Sequence, residues 1–355
     1  MKRIVYLALS SCLLFSCNNL PKYNTIAPED KPLDAGVILF SQDSNSYFYD
    51  IRITDDYLLL LDESNDTVFR AYDADNVLRF SALKGALAGQ FVKPQFTKSV
   101  IKQGGNVSRI VDNDLYSSVV TLNSGDPLIE STLITNDLLS SKNYNITDNE
   151  IYAIPLSGKK GYQFYIYNNQ DGYYWVDTDS VLKSEIIDSP VALLSNLCVN
   201  EDANRIVSAM RFVNLVLFYD LEGSLTQVTS FGKSKILPLQ KGENQVDVIN
   251  STKCFIDIYG TPKYVYCLYN GASDFSKAST IVVFKWDGTH ISTLKSDRFL
   301  RNIAVDKDDN YVVALASRSD GGTDVVKYKL FLMCCLDIFS FSSLNDHKQK
   351  MSLLI

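Results

Sequence analysis

Histidine and tryptophan are scarce in this sequence, with two of each among 355 residues. A catalytic triad or a multi-histidine metal site would have to use His290 or His347. The Gly-x-Ser-x-Gly elbow, the His-Glu-x-x-His helix and the phosphate-binding loop are all absent from the sequence. We therefore predict no catalytic residue and no cofactor, and we favour a protein without enzymatic activity. His290 follows the turn Asp287-Gly288-Thr289, which indicates a solvated hairpin residue.

Basic residues are also fewer than acidic residues. Lysine and arginine number 34 against 41 aspartates and glutamates, and without Lys2 and Arg3 the net charge falls from −7 to −9. A protein that binds nucleic acid needs a basic face, and no run of basic residues interleaved with aromatics occurs here. Nucleic acid is therefore not an expected partner. The 46% of hydrophobic residues, with 21 Tyr and 18 Phe, indicate a globular chain rich in strand formers.

An apolar run of about a dozen residues, Ile4–Phe15, is too short to cross a bilayer core of ~30 Å. Because basic residues precede it, the sequence predicts a signal peptide over residues 1–16. The run ends in Leu14-Phe15-Ser16-Cys17, which resembles the bacterial lipobox and implies a lipid on Cys17. Cys12 lies too deep in the run to compete. An ordinary secretory signal followed by a chance cysteine is the alternative interpretation.

The residues after Cys17 bear on location. Asn18 and Asn19 follow it, without the aspartate that retains lipoproteins in the inner membrane of bacteria with two membranes. By that analogy we expect an outer-membrane lipoprotein, held by its lipid on the periplasmic face because no acidic cluster follows Cys17. The cell surface stays open as an alternative. Residues 17–35 contain Pro21 and Pro28 and little apolar content, which predicts a flexible tether.

Five cysteines remain beyond Cys12 and Cys17, namely Cys198, Cys254, Cys267, Cys334 and Cys335. Cys254 and Cys267 flank Gly260-Thr261, and a two-residue turn there would set them opposite each other across a hairpin, in position for a disulfide. Buried free thiols that pack as small hydrophobic groups are the alternative. No cysteine pair has metal-ligand spacing with a histidine nearby, so a zinc site is not expected.

From residue 36 onward, short apolar runs alternate with Asp, Asn and Gly, and helical periodicity is almost absent. One unit recurs, an apolar strand, an acidic or Asn-rich turn and a second apolar strand. Its six copies lie at residues 53–59, 111–116, 146–152, 199–207, 249–255 and 305–312. Their mean spacing of about 50 residues is typical of a four-stranded blade with its loops. The sequence predicts an all-β protein, a six-bladed β-propeller with four-stranded antiparallel blades over residues 36–330.

A second recurrence supports the first. Aromatic strands that end in an Asp or Gly turn lie at residues 71–75, 167–172, 218–223 and 284–288, and they predict hairpins between the two outer strands of a blade. A propeller must also keep its first and last blades together, so we predict that Val37–Ser41 pairs beside Val325–Leu330 and closes the last blade. Residues 331–355 do not resemble a blade and are interpreted as an irregular tail.

The sixfold unit, the lipobox and the stretch Phe80–Phe91 followed by Pro94 together resemble the TolB-like six-bladed propeller lipoproteins. That family shows a Gly-x-Gly-Pro-Gly-Glu-Phe stretch at this place. Here Gly85, Gly89 and Phe91 match it, whereas Leu87, Ala88 and Gln90 depart from it. The resemblance covers most of residues 36–330 and implies the propeller fold without an established activity.

Two features of the sequence allow a chemical interpretation as well as a structural one. Acidic turns at Asp306–Asp309 and Asp112–Asp114 offer oxygen ligands for calcium, but neither follows the twelve-residue calcium-loop pattern, and acids that end strands explain them more simply. An aromatic cluster could form a carbohydrate platform, but alternation along two strands favours packing between blades. Its members are Tyr162, Phe164, Tyr165, Tyr167, Tyr173, Tyr174 and Trp175.

Two functions remain open. The first is a non-catalytic binding or scaffold propeller, anchored to the membrane by the lipid on Cys17, that presents its loops to an envelope protein or glycan. The second is a calcium-dependent propeller hydrolase of lactones or sugar esters. The hydrolase requires three or more acids that converge at one mouth of the central channel, whereas the binding module does not.

Overall fold

The protein is described by a computed structural model that covers residues 21–42, 47–63, 66–100, 105–114, 116–123, 127–134, 138–156, 161–177, 189–242 and 245–332. Six antiparallel sheets form the body. Blade one contains β4 (Phe48–Ile53), β5 (Leu58–Asp62), β6 (Thr67–Tyr72) and β7 (Leu78–Leu83). Blade two contains β8 (Pro94–Phe96), β9 (Val107–Asp112), β10 (Tyr116–Thr121) and β11 (Leu128–Leu133). Blade three contains β12 (Ser141–Ile146), β13 (Ile151–Pro155), β14 (Tyr162–Asn168) and β15 (Gly172–Asp177).

Blade four contains β16 (Ser195–Asn200), β17 (Arg205–Met210), β18 (Leu215–Tyr219) and β19 (Leu225–Phe231). Blade five contains β20 (Lys253–Gly260), β21 (Tyr264–Ala272), β22 (Thr280–Lys285) and β23 (His290–Lys295). Blade six contains β24 (Leu300–Val305), β25 (Tyr311–Ser317) and β26 (Thr323–Lys329). The N-terminal part adds β1 (Lys22–Ile26), β2 (Asp30–Pro32) and β3 (Val37–Gln42), and two short 3-10 helices lie at Pro190–Leu193 and Phe275–Lys277.

The first strand of each blade contacts the first strands of both neighbouring blades, so six first strands surround a central channel. We call the end at which the chain enters these first strands the upper face. The end at which the first strand turns into the second is the lower face. Because strands within a blade are antiparallel, the fourth strand runs from the lower to the upper face. The predicted six-bladed propeller is confirmed.

The last blade is closed by the N-terminal strand, as predicted. Strand β3 pairs antiparallel with β26, with Val325 opposite Phe40 and Lys327 opposite Val37. Phe40 also stacks on Tyr72 of blade one, with ring centroids 4.6 Å apart. The closing strand therefore joins the last blade to the first through backbone hydrogen bonds on one side and an aromatic contact on the other.

The predicted repeat marks the correct number of blades, but two of its six copies lie elsewhere in the blade. The copies at 53–59, 146–152, 199–207 and 305–312 are the hairpins between first and second strands. The copy at 111–116 joins the second and third strands of blade two, and the copy at 249–255 precedes the first strand of blade five. Acidic turns occur at several kinds of hairpin, and composition alone does not distinguish them.

The aromatic turns are placed as predicted, since all four join the third and fourth strands of their blades. Asn76 has φ of 61°, and Gly172, Gly223 and Gly288 have φ of 76°, 85° and 86°. A left-handed residue in each turn is what a tight hairpin between twisted strands requires.

Part of the segment predicted as a flexible tether is instead paired to the propeller. Strand β1 lies parallel to β19, the outer strand of blade four, and β2 lies parallel to β23 of blade five. Ile26 is buried between blades four and five, and Leu33 packs on the core of blade six. Pairing of this kind depends on backbone groups of an exposed sheet edge, so a polar segment can adopt it.

The disulfide between Cys254 and Cys267, which the sequence left open, is not formed. Cys254 and Cys267 are free and buried, as is Cys198. Cys267 lies opposite Ile258, because the hairpin loop is longer than two residues and two register shifts displace Cys254 along the strand. The alternative of buried thiols is the one observed. Cys334, Cys335 and the tail from residue 333 lie outside the described residues.

The hydrophobic core is divided among the spaces between blades. Phe69, Phe91 and Phe96 fill the space between blades one and two, where Phe91 ends the glycine-containing stretch that leads into blade two. Each sheet therefore packs both of its faces against adjacent blades. Within the described ranges, no helix is long and apolar enough to span a membrane.

We expect Phe40→Ala to weaken ring closure. Phe40 is partly buried, so its loss should lower the free energy of unfolding by about 2 kcal/mol, less than the ~3–5 kcal/mol of a fully buried phenylalanine. Val37→Ala is the matched control, because Val37 is 64% exposed on the same strand, and a change within ~0.5 kcal/mol is expected there. Chemical denaturation of the purified protein gives both values. Equal effects of the two substitutions would contradict the role of Phe40.

Candidate functional site

One polar side chain from each blade lines the upper part of the central channel. In order of blades they are Asp50, Lys98, Asn143, Asn196, Asp257 and Asn302. In four blades a β-bulge immediately precedes this residue in the first strand. A bulge changes the direction in which the following side chain points. The bulges thus place a polar group on the channel in strands that otherwise bury apolar residues.

Four of these side chains bond the first strand of the next blade. The bonds are Phe96 N to Asp50 Oδ2 (3.3 Å), Leu197 N to Asn143 Oδ1 (3.3 Å), Asn196 Nδ2 to Phe255 O (3.1 Å) and Ile303 N to Asp257 Oδ2 (2.9 Å). First strands do not form ladders with one another, so their channel-side backbone groups need other partners. The Asp and Asn side chains supply those partners and link the blades around the axis.

Blade two breaks the pattern and closes the channel. Its first strand, β8, has three residues, and Thr97 N still donates to Arg109 O of β9. Residues 98–100 then leave the sheet and cross the channel toward blade four. Arg52 of blade one donates to Thr97 O and Ser99 O, Ser99 Oγ donates to Ile146 O, and Val100 N donates to Val199 O. Cys198 Sγ also contacts Lys98 O at 2.7 Å. The crossing segment is therefore bonded to blades one, three and four.

Lys98 lies near the axis between two carboxylates. Its Nζ is 2.8 Å from Asp50 Oδ1 and 3.5 Å from Asp257 Oδ1, and all three residues are buried. Burial opposes the charge on Lys98, but Asp257 and Asp50 outweigh burial and raise the Lys98 pKa above its ordinary value. Burial raises the pKa of Asp257, which Lys98 opposes. The three residues form one buried charge cluster.

Above this cluster a cavity of about 440 Å³ opens at the upper face. Lys142 and Arg211 lie in its wall, and neither contacts a carboxylate of the residues that the structure describes. Lys142 Nζ donates to Asn196 Oδ1 at 3.0 Å. Burial, followed by Arg211, lowers the Lys142 pKa well below its ordinary value, although Asp257 opposes this. Burial lowers the pKa of Arg211 to about 10.

The lower face carries a second cavity of about 450 Å³, and one ion pair lies in its wall. Lys307 Nζ lies 2.9 Å from Asp55 Oδ1, and Gly105 N donates to Asp55 Oδ2 at 2.9 Å. These contacts join blade one to blades six and two at their hairpins. We assign this side a structural role in the ring.

The acids considered for calcium binding accept hydrogen bonds from backbone N–H groups, within the same turn for Asp306 and from residues 92 and 93 for Asp112. Asp306 Oδ1 accepts from Asn310 N and Tyr311 N, both at 2.7 Å. Asp112 Oδ1 accepts from Lys93 N at 2.6 Å. Such carboxylates cap the turns rather than converge on an ion.

Four carboxylates line the upper cavity, those of Asp50, Asp62, Glu63 and Asp257. Lys98 binds Asp50 and Asp257, and Arg70 binds Asp62. No group of three or more His, Cys, Asp or Glu among the described residues could hold a metal ion.

The aromatic cluster packs mostly between blades. Phe164 is buried against Tyr219 of blade four, at 5.2 Å between ring centroids, and Tyr165 is buried on the opposite face of the sheet, toward blade two. Tyr174 is the exposed ring, at 57%. One exposed ring does not form a sugar-binding platform, which usually stacks several.

His290 is not the solvated residue expected. It begins β23 and is half-buried, with Nε2 3.1 Å from Thr293 Oγ1 and its ring 5.9 Å from that of Phe284. Burial lowers its pKa below the ordinary value. Cys17, Cys12 and His347 lie outside the described residues.

The channel residues were not identified from the sequence, although they share a signal. In five blades an Asp or Asn is followed by a large apolar residue shortly before the end of the first strand. The pairs are Asp50-Ile51, Asn143-Tyr144, Asn196-Leu197, Asp257-Ile258 and Asn302-Ile303. When the blades are aligned, these five pairs occupy the same position, and Lys98 takes that position in blade two.

Comparisons with known proteins support the fold and no more. No protein-family model matches the sequence, and no curated protein matches it either. A crystal structure of a DUF4221 family member from Bacteroides vulgatus ATCC 8482 is similar, with a TM-score of 0.53 and 10% identity over 87% of this chain and 98% of that chain. The likeness shows a shared propeller fold. Membership of the TolB-like lipoproteins stays a prediction.

Two further solved structures are similar at a lower level. The Cps50 (Swd1) β-propeller domain of Myceliophteria thermophila has a TM-score of 0.44 at 8% identity, over 83% of this chain and all of that one. The structure of U3-55K has a TM-score of 0.43 at 9% identity, over 84% of this chain and all of that one.

We expect Lys98→Met to destabilise the protein by about 3–5 kcal/mol, because two buried carboxylates lose their only cation. This destabilisation should become smaller as the pH falls. Without Lys98 the Asp257 pKa rises further above its unfolded value of about 3.9, so protonation favours the folded state below that raised pKa. Denaturant unfolding at several pH values measures both effects.

Two variants control this experiment. Lys84→Met removes an exposed lysine from the wall of the same cavity, and we expect a change within ~0.5 kcal/mol. Lys98→Met combined with Asp50→Asn and Asp257→Asn should recover stability relative to Lys98→Met alone. A pH-independent loss in Lys98→Met would contradict the charge cluster.

Proposed function

We propose that this chain is a lipid-anchored envelope protein whose propeller is a non-catalytic binding module for an envelope partner. In this proposal the lipid on Cys17 holds it to the outer membrane, on the periplasmic face. The observation that carries the binding role is the upper cavity, which is closed from below by residues 97–100. It contains two cations, Lys142 and Arg211, that contact no carboxylate among the described residues. A pocket with a floor, polar groups and apolar walls suits a bound ligand.

The charge distribution favours binding over hydrolysis. The two channel carboxylates are bonded to Lys98 and to backbone N–H groups of neighbouring blades. Carboxylates engaged in this way stabilise the ring and are not free to bind calcium or to act as a general base. The observations at the channel therefore support the binding module rather than the calcium-dependent hydrolase.

The path of the N-terminal strand gives the proposed anchor a position. Because β1 runs parallel to the fourth strand of blade four, Lys22 lies at its lower-face end. Cys17 precedes Lys22 by five residues, which span at most about 17 Å when fully extended. A lipid on Cys17 would thus hold the lower face near the membrane and direct the upper cavity away from it.

We expect Cys17→Ser to abolish incorporation of a labelled fatty acid and to release the protein from the membrane fraction, since the thiol is the attachment atom. Cys12→Ser is the matched control in the same leader and should label as the unaltered protein does. Metabolic labelling followed by fractionation measures both. Undiminished labelling of Cys17→Ser would show that the lipid is elsewhere.

A photo-crosslinking residue tests which face binds the partner. Leu156 lies in the wall of the upper cavity and is 53% exposed, whereas Lys263 is exposed in the lower hairpin of blade five. In intact cells we expect an adduct with an envelope component from position 156 and none from position 263. Adducts from position 263 alone would place the binding surface on the lower face and contradict the proposal.

A further inference from the structure

Two cations in the upper cavity lack a counter-ion among the described residues. The guanidinium of Arg211 has no hydrogen-bond acceptor there, and its Nε is buried without a partner. Lys142 Nζ contacts neutral oxygens only, Asn196 Oδ1 at 3.0 Å and Ser195 O at 3.5 Å. Two adjacent basic side chains without a counter-ion favour the binding of an anion, which would stabilise their charged forms.

Arg211 is held in place from both sides. Its backbone N–H donates to Leu194 O at 2.8 Å, and its carbonyl accepts from Cys254 N at 2.6 Å. Its guanidinium carbon lies 5.1 Å from the centre of the Phe275 ring. A guanidinium oriented before the ligand arrives loses little freedom on binding, which favours a bidentate contact with an oxyanion.

The local charge favours a monoanion. Counted as formal charges, the five basic side chains of the wall exceed its four carboxylates by one. The basic residues are Lys84, Lys93, Lys98, Lys142 and Arg211, and the acidic ones are Asp50, Asp62, Glu63 and Asp257. A carboxylate balances that charge, whereas a phosphate monoester of about −1.5 to −2 exceeds it. The bound anion would in turn favour the charged forms of Lys142 and Arg211.

The shape of the cavity indicates what carries the anion. A volume of about 440 Å³, enclosed by six blades, accepts a sugar ring or two rather than the surface of a folded protein. Apolar groups of Tyr49, Pro94 and Leu156 lie in the same wall. Sugars present C–H faces that pack on such groups while their hydroxyls bond polar side chains such as Asn196 and Asn302.

We propose that the upper cavity binds an acidic sugar unit, with its carboxylate between Lys142 and Arg211. This inference rests on the proposed binding role and names the ligand class. The test uses D-glucuronate as the probe, with D-glucose and inorganic phosphate as comparisons, in isothermal titration calorimetry on the full chain. We expect glucuronate to bind at least tenfold more tightly than glucose and than phosphate.

Substitutions locate the site. Arg211→Gln should weaken glucuronate binding about tenfold or more, as the loss of a charge-assisted contact predicts, and Lys142→Gln should weaken it similarly. Lys263→Gln makes the same charge change on the lower face and should leave binding unchanged. The melting temperature of each variant is measured as well, and it should not fall, because each substitution relieves repulsion between cations.

Any of four results would overturn the inference. Glucose binds as tightly as glucuronate, phosphate binds more tightly than glucuronate, Arg211→Gln binds glucuronate as tightly as the unaltered protein does, or the unaltered protein does not bind glucuronate. If one of these results is obtained while position 156 still crosslinks to an envelope component, the acidic-sugar inference fails and the proposed binding function stands. If position 156 yields no adduct, the binding function itself fails.

Discussion

Ring closure is the constraint on which the rest of this structure depends. Each blade buries both faces of a twisted sheet against its neighbours, so a gap between any two blades would expose two apolar faces at once. Strand β3 prevents such a gap between the last and first blades through its pairing with β26 and the stacking of Phe40 on Tyr72. The same N-terminal segment extends further back around the ring, as β1 and β2, and it inserts Ile26 beside blade five.

This arrangement couples stability to orientation. The segment that closes the ring is also the segment that leads to the proposed anchor at Cys17. A flexible tether would leave the propeller free to rotate over the membrane, whereas pairing from Lys22 onward limits the free length to a few residues. Tension on the anchor would act on β1 and β2, at the outer edges of blades four and five, before it reached the closing strand β3.

The fold was predictable because its signals are local and repeated. Hairpins with Asp, Asn and Gly recur in every part of the chain, and residues such as Gly172 and Gly223 mark turns that only a left-handed residue can make. The edge strand β1 was not predictable, since edge pairing uses backbone groups and leaves no apolar pattern. The sequence left open whether Cys254 and Cys267 form a disulfide, because the two register shifts in β20 that separate them have no signature in composition.

The channel site could not be predicted from the sequence for a different reason. Its residues are spread over six blades, and single Asp or Asn residues resemble ordinary polar substitutions until the blades are superimposed. Blade two departs from the pattern where the chain crosses the channel. No local sequence feature predicts this departure, because Lys98 binds Asp50 of blade one and Asp257 of blade five, which are distant in sequence. The contacts that define the site therefore depend on closure of the whole ring.

Lys98 differs from Lys142 and Arg211 in whether its charge is compensated by carboxylates, and the stability of the fold alone does not explain this difference. Lys98 is buried between two carboxylates and bonds the crossing segment to the ring, so its charge is compensated. Lys142 and Arg211 lie above it in the cavity wall, where neither contacts a carboxylate from the described part of the chain. Neutral side chains at both positions would remove the repulsion while keeping the hydrogen bond to Asn196. A fold that retains both charges at the one mouth directed away from the proposed anchor has a surface suited to meet an anion from outside.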